Sequence, residues 1–222
     1  MADTHARLTW DEDTERFYET GLRNGVLYIK GENGYEAGVS WNGLTDIKEQ
    51  NDGAEAKSLY ANDHEYLKLR SKEKAKGTIE AYTYPDEFAQ CDGSVQIVPG
   101  MFVGQQTRRS FGLCWRTSIG NDVEFSDHAY KLHILYGASI SPSEKDHKTE
   151  GEDPEAVALS WSYEAIPVAM PEKLTDAAKI EIDSRYVTEA KMKQLEDLLY
   201  GSNTADAKLP TPQEIYTLLK EA

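Results

Sequence analysis

"HAYKLHILYGAS", residues 128–139, places Tyr130, Leu132, Ile134 and Tyr136 at every second position. That is the repeat of a strand, whose side chains alternate between two faces, and not the 3.6-residue repeat of a helix. The same beat recurs on both sides. "QQTRRSFGLCWRT" (105–117) alternates Phe111, Leu113 and Trp115 with Arg108, Ser110 and Arg116. "EAVALSWSYEAIPV" (155–168) sets Val157, Leu159, Trp161 and Tyr163 against Ala158, Ser160 and Ser162. "AKIEIDSR" (178–185) points Ile180 and Ile182 one way and Lys179, Glu181 and Asp183 the other. Nearer the start, "VLYIKGENGYEAGVSW" (26–41) has an apolar run, a Gly/Asn turn, then Tyr35, Ala37, Val39 and Trp41, the pattern of a hairpin. "EYLKLR" (65–70) and "KGTIEAYTY" (76–84) add two further strands. Period-two alternation over so many segments predicts a mainly β chain, an antiparallel sandwich or barrel.

Two helices follow. "TEAKMKQLEDLLYG" (188–201) carries Met192, Leu195, Leu198 and Leu199 along one side and stops at Gly201. "TPQEIYTLLKEA" (211–222) opens with Thr211 as N-cap, Pro212 at N1 and Glu214 at N3, a capping box with a proline start. At two to three turns it is too short to stand alone, so Ile215, Leu218 and Leu219 must pack on something. The expected organisation is a polar N-terminal arm (1–24), one β-sandwich domain (25–200) and a C-terminal arm with its helix (201–222). Residues 43–60, poor in apolar side chains and broken by a turn at Asn51-Asp52-Gly53, read as a protruding excursion, and 141–155 as a solvent loop.

Composition narrows the function. Of 222 residues, 24 are Lys or Arg and 39 are Asp or Glu, a net charge of −15. Gripping DNA by counterion release needs clustered cations, so this chain is expected to repel polyanions instead. No stretch approaches the roughly 20 apolar residues of a spanning helix, and "MADTHARLTWDEDTERF" has no apolar core of a secretory leader. Two cysteines, Cys91 and Cys114, make no disulfide framework and form no Cys/His cluster. The histidine pair His128 and His133, five apart on one strand, fall on opposite faces and do not share a metal.

"AYTYPDEFAQCDG" (81–93) resembles a site at first sight, with Asp86 and Glu87 near Cys91. Adjacent carboxylates splay apart, whereas acid–base pairs come from different elements. A nucleophilic thiol needs a base brought close in space, and no such signature surrounds Cys91. Pro85 ends a strand, residues 86–90 make one helical turn, and Asp92-Gly93 reverses the chain. The glycines at 100, 104 and 112 make no phosphate cradle, and Arg108-Arg109 point to opposite sides of a strand. Trp41, Trp115 and Trp161, at alternating positions, read as core. No catalytic constellation, metal site or cofactor is expected, and the chain reads as no enzyme.

Taken in order, "GLTDIKEQNDGAEAKSLYANDHEYLKL", "TIEAYTYPDEFAQCDG", "QTRRSFGLCWRTSIGND", "HAYKLHILYGASISPSEK", "PEAVALSWSYEAIPV" and "LEDLLYG…LPTP" resemble the major tail proteins of long-tailed bacteriophages. These are tail-tube proteins of phages with non-contractile tails that infect Gram-positive hosts, and the resemblance spans roughly residues 20–215. It implies a β-sandwich subunit with flanking helices, made in the host cytoplasm. Such subunits assemble as hexameric rings, stacked into a hollow tube of the virion, with other tail proteins at its ends and DNA passing through unbound. No membrane and no cofactor is implied. Glu80, Glu181 and Asp183 become candidate lumen-facing acids, with plain solvation of an outer surface as the other reading. Trp10, Phe17, Leu44, Ile47, Ile215, Leu218 and Leu219 become candidate contacts between subunits. Two competing readings stand beside this one: a carbohydrate-binding, adhesin-like sandwich, and a hydrolase on the same scaffold.

Overall fold

The structure, a computed structural model, describes residues 10–13, 15–53, 55–71, 73–142, 145, 147, 149 and 156–220. In chain order the strands are β1 (Tyr18–Gly31), β2 (Gly34–Tyr35), β3 (Val39–Ser40), β4 (Leu44–Glu49), β5 (Ala56–Ala61), β6 (His64–Arg70) and β7 (Ala75–Ala81). A 3₁₀ turn (Asp86–Gln90) leads to β8 (Val95–Val98), β9 (Met101–Val103), β10 (Phe111–Asn121), β11 (Phe125–Ile140), β12 (Leu159–Ala165) and β13 (Lys179–Asp183). A second 3₁₀ turn (Ser184–Tyr186) precedes helices α1 (Glu189–Tyr200) and α2 (Pro212–Lys220).

Nine strands form one antiparallel sheet in the order β2-β1-β10-β11-β12-β7-β4, with β3 beside β1 and β13 beside β11. The sheet folds over on itself, and alternation decides which side chains go inside. Leu27 and Ile29 of β1, Phe111, Leu113 and Trp115 of β10, Trp161 and Tyr163 of β12, and Ile79 of β7 meet in an inner core that also holds Trp41. The opposite face of β1, β10, β11 and β13 is covered by the helices. There Cys114, Leu132, Ile134, Tyr136 and Ile182 pack on Met192, Leu195, Leu199 and Ile215. The result is a mainly β sandwich with two short flanking helices, as the alternation predicts, and Trp41, Trp115 and Trp161 are core.

Gly137 is where the fold turns. Residues 131–135 of β11 pair with β13, and residues 138–140 pair with β12. Between them the ladder to β10 slips, and Gly137 has φ +62. The extra residue switches the inward set from odd numbers (Leu135) to even ones (Ala138, Ile140). A Cβ at Gly137 would stand 2.6 Å from the Ile166 carbonyl oxygen. Only glycine combines that close approach with the left-handed backbone.

Three boundaries differ from the sequence expectations. The arm ends early, because Tyr18 is already paired with Gly120 and β1 continues unbroken to Gly31. Residues 43–60 are not one excursion. The stretch 44–49 is β4, paired with β7 from Leu44↔Ala81 to Glu49↔Gly77, with Leu44 and Ile47 packed on the inner core. A strand at the sheet border covers one face only, so few apolar residues suffice and composition hides it. The real protrusion is the hairpin β5–β6. Finally, the C-terminal segment is no free arm: the capping box forms, with Glu214 N–H donating to Thr211 Oγ1 at 3.2 Å and Thr211 N–H to Glu214 Oε2 at 2.7 Å. Residues 1–9 of the arm, most of the 141–155 loop and residues 221–222 of the last helix lie outside the described residues.

Candidate self-assembly surface

The two hairpins stand apart from the sheet. Among the described residues β5 and β6 pair only with each other, and so do β8 and β9. The first turns at Asn62-Asp63, both at positive φ (50 and 64), the backbone of a tight hairpin turn matched to strand twist. The second turns at Pro99-Gly100, with Gly100 at φ +83. Leu59 lies opposite Leu67, and Lys57 opposite Leu69, so three leucines share one face of β5–β6. Val95 opposes Val103 and Val98 opposes Met101 on β8–β9.

These side chains are wet. Tyr60 is 72% exposed, Tyr66 68%, Leu69 52%, Ile97 58% and Phe102 46%. Eleven of the twenty-two exposed large apolar residues among the described ones sit on these four short strands. Lone two-stranded hairpins are marginal in water, and their unpaired borders are templates for another chain. Contiguous exposed apolar surface of this kind marks a contact site. The first hairpin and the link to β7 are basic for this chain: residues 56–76 hold six Lys or Arg against three Asp or Glu, with Lys72, Lys74 and Lys76 just after β6, inside a protein of net charge −15.

The sequence-predicted residues are scattered. Trp10 is 73% exposed, and Phe17 stacks tilted on His128 at 5.2 Å. Leu44, Ile47, Leu218 and Leu219 are partly buried and Ile215 fully so, each against the chain's own cores, which leaves Ile215 no surface for a neighbour. Of the three acids, Glu80 pairs with Lys48 at 2.8 Å, Glu181 with Lys131 at 2.9 Å, and Asp183 with Arg185 at 2.7 Å. Glu80 lies on the outward face of β7, between buried Ile79 and Ala81, whereas Glu181 faces the mouth of the inner core beside His133. They therefore do not make one acidic wall within the subunit. The stretch 81–93 is a plug: Phe88 and Cys91 are fully buried, and burial pushes the Cys91 thiol up to about 12. Cys114 belongs to the outer layer, across the sheet from Cys91, and both thiols are free.

Both hairpins had legible signals, Asn-Asp between "SLYA" and "HEYLKL" and Pro-Gly between "VQIV" and "MFV". The strands of the second are only four and three residues long, too short for a two-residue period to stand out.

Where β13 replaces β12 the inner core opens, and charges fill the mouth. His133 stacks on Trp115 at 5.2 Å, with Glu19 3.4 Å from Nε2 and Glu181 3.5 Å from Nδ1. Lys131 bridges Glu19 and Glu181, and Lys179 reaches Glu49 of β4 at 2.6 Å. Burial, with Lys179 adding to it, holds His133 below the usual 6.5 despite Glu181, Glu19 and Glu49. Burial raises Glu19 and Glu181, but Lys131 outweighs it and holds both below the usual 4.5. The signs agree. A depressed histidine contributes stability that falls as pH drops below about 6.5. Depressed carboxylates lose theirs as pH falls through their folded values. Urea midpoints should therefore decrease from pH 7 to pH 5, and His133→Gln should flatten that decrease; an unchanged slope would assign it elsewhere.

No protein-family model matches the chain. No curated protein matches it either. Among solved structures, a chain from the cryo-EM structure of the anti-feeding prophage baseplate, 6-fold symmetrised, is similar over 79% of this chain and 97% of that one. The identity is 7% and the TM-score 0.39, a likeness too distant to carry function across. Among the described residues no helix is long and apolar enough to cross a membrane.

Proposed function

We propose that this chain is a structural subunit of a phage tail that binds copies of itself through its two apolar hairpins. Subunits close into rings, hexameric in this reading, and the rings stack into a tail tube that DNA traverses without being held. Other tail proteins meet the tube at its ends. The observation that carries the reading is the concentration of wet apolar side chains on β5–β6 and β8–β9. A second copy is the fitting occupant, because the β5–β6 region is basic and the rest of each copy is strongly acidic. A contact between unlike surfaces that closes gives a ring, and repetition along the axis gives a filament. The order of segments resembling tail-tube proteins supports the same assignment, and a negative total charge suits a conduit for DNA.

Negative-stain microscopy and sedimentation velocity on concentrated protein test this. Rings or tubes, with loading that rises with concentration, are the expected result. A strict monomer at high concentration, or a monomer that binds glycans, would remove it.

A further inference from the structure

Arg23 and Arg116 lie directly opposite each other in the β1–β10 ladder. Like charges in that position repel and weaken a sheet. The register shifts on both sides of the pair, between Thr20 and Arg23 and again before Val26, so β1 is bent around it. Directly paired residues project from the same face, and both arginines line one pocket of about 250 Å³ with Ser118, Ser126, His128 and Ser184.

Neither guanidinium is neutralised at hydrogen-bond range. Arg116 Nη1 stands 3.6 Å from Glu196 Oε1, beyond a hydrogen bond, and its Nε is buried without a partner. The Tyr130 ring covers one face of that guanidinium at 3.5 Å, which fixes its plane and leaves its edge donors for the pocket. Among the described residues the Arg23 guanidinium makes no ion pair and donates no hydrogen bond. By contrast, Arg185 is held by Asp183 at 2.7 Å and Arg109 by Glu36. His128 of the lining engages Glu124. Glu196 offsets one of the two positive charges, and among the described residues no acid pairs with the second.

We propose that this pocket binds a small dianionic oxyanion of the phosphate class, bridged by Arg23 and Arg116, with seryl hydroxyls donating from the walls. Planar guanidinium forks match tetrahedral oxyanions in two-point contacts. The bound ion turns the Arg–Arg repulsion into attraction and ties β1 to β10 where their ladder is irregular. The inference does not depend on assembly.

Calorimetric titration of the full chain with inorganic phosphate, at fixed ionic strength against chloride, tests it. One saturable site per chain is expected, with a melting temperature that rises with phosphate. Arg23→Gln, at an exposed position, should weaken phosphate at least about tenfold, as should Arg116→Lys, while in chloride Arg23→Gln should melt no lower than the parent, because the like-charge repulsion is gone. No saturation by about 10 mM phosphate, a level at which a two-arginine site should fill, overturns the site. So does equal binding by Arg23→Gln. An arginine-dependent contact with a short oligonucleotide, without phosphate binding, also overturns it and assigns the pair to nucleic acid. A block to tube growth by Arg23→Gln without phosphate binding overturns it in favour of a neighbour's carboxylate.

Discussion

Phe88→Ala is expected to lower the unfolding free energy by about 3–5 kcal/mol, the range for emptying a large aromatic site in a core. Phe88 sits on a single 3₁₀ turn, held by its N–H on the Pro85 carbonyl at 2.9 Å. From there its ring enters the inner core, 4.4 Å from Trp41, 5.1 Å from Trp161, 5.6 Å from Phe111 and 5.8 Å from Tyr84 between centroids. Four rings from four parts of the chain lose their common neighbour at once, and rigid indoles cannot collapse to fill the gap. In a chain of this size each kcal/mol moves the melting temperature by roughly 2–4 °C, so a drop of about 6–20 °C follows. Asp86→Ala and Glu87→Ala, on the exposed side of the same turn, should change stability by less than about 0.5 kcal/mol. A Phe88→Ala loss under about 1 kcal/mol would mean the turn does not anchor the core.

Ile97→Asp with Phe102→Asp, or Leu59→Asp with Leu67→Asp, should abolish assembly while leaving the monomer's melt unchanged within a degree or two. The separation is the point of the experiment. All four side chains are at least 36% exposed in the subunit, so replacing them removes little buried area from the fold. In an interface the same carboxylates would be desolvated without partners, at several kcal/mol each, repeated at every contact of a ring. Sedimentation of each double variant beside the parent protein reads the result. Tubes of normal yield from both variants would show that the hairpins are not the joining surfaces, and loss of the monomer's β-rich circular dichroism would place them in the fold instead.

The acidic pairs illustrate how much of this was readable beforehand. Alternation put Glu181 and Ile182 on opposite faces of β13, and that is where they lie. It did not reveal that Lys131, fifty residues before Glu181, would sit between Glu19 and Glu181. Likewise Arg23 and Arg116 are unremarkable letters ninety-three positions apart until the ladder pairs them.

What the sequence alone determined is therefore the local kind of structure. A two-residue period and a capping box, at Tyr130 to Tyr136 and at Thr211 to Glu214, depend on side-chain geometry within a few residues, and the chain states them directly. Which surfaces stay uncovered is set by contacts far apart in the chain: β4 closes on the sheet, while β5–β6 and β8–β9 do not. A leucine on a strand reads the same whether its face meets a core or water. The difference is made by long-range pairing, and the bend at Gly137, not any local pattern, sets which strands are within reach.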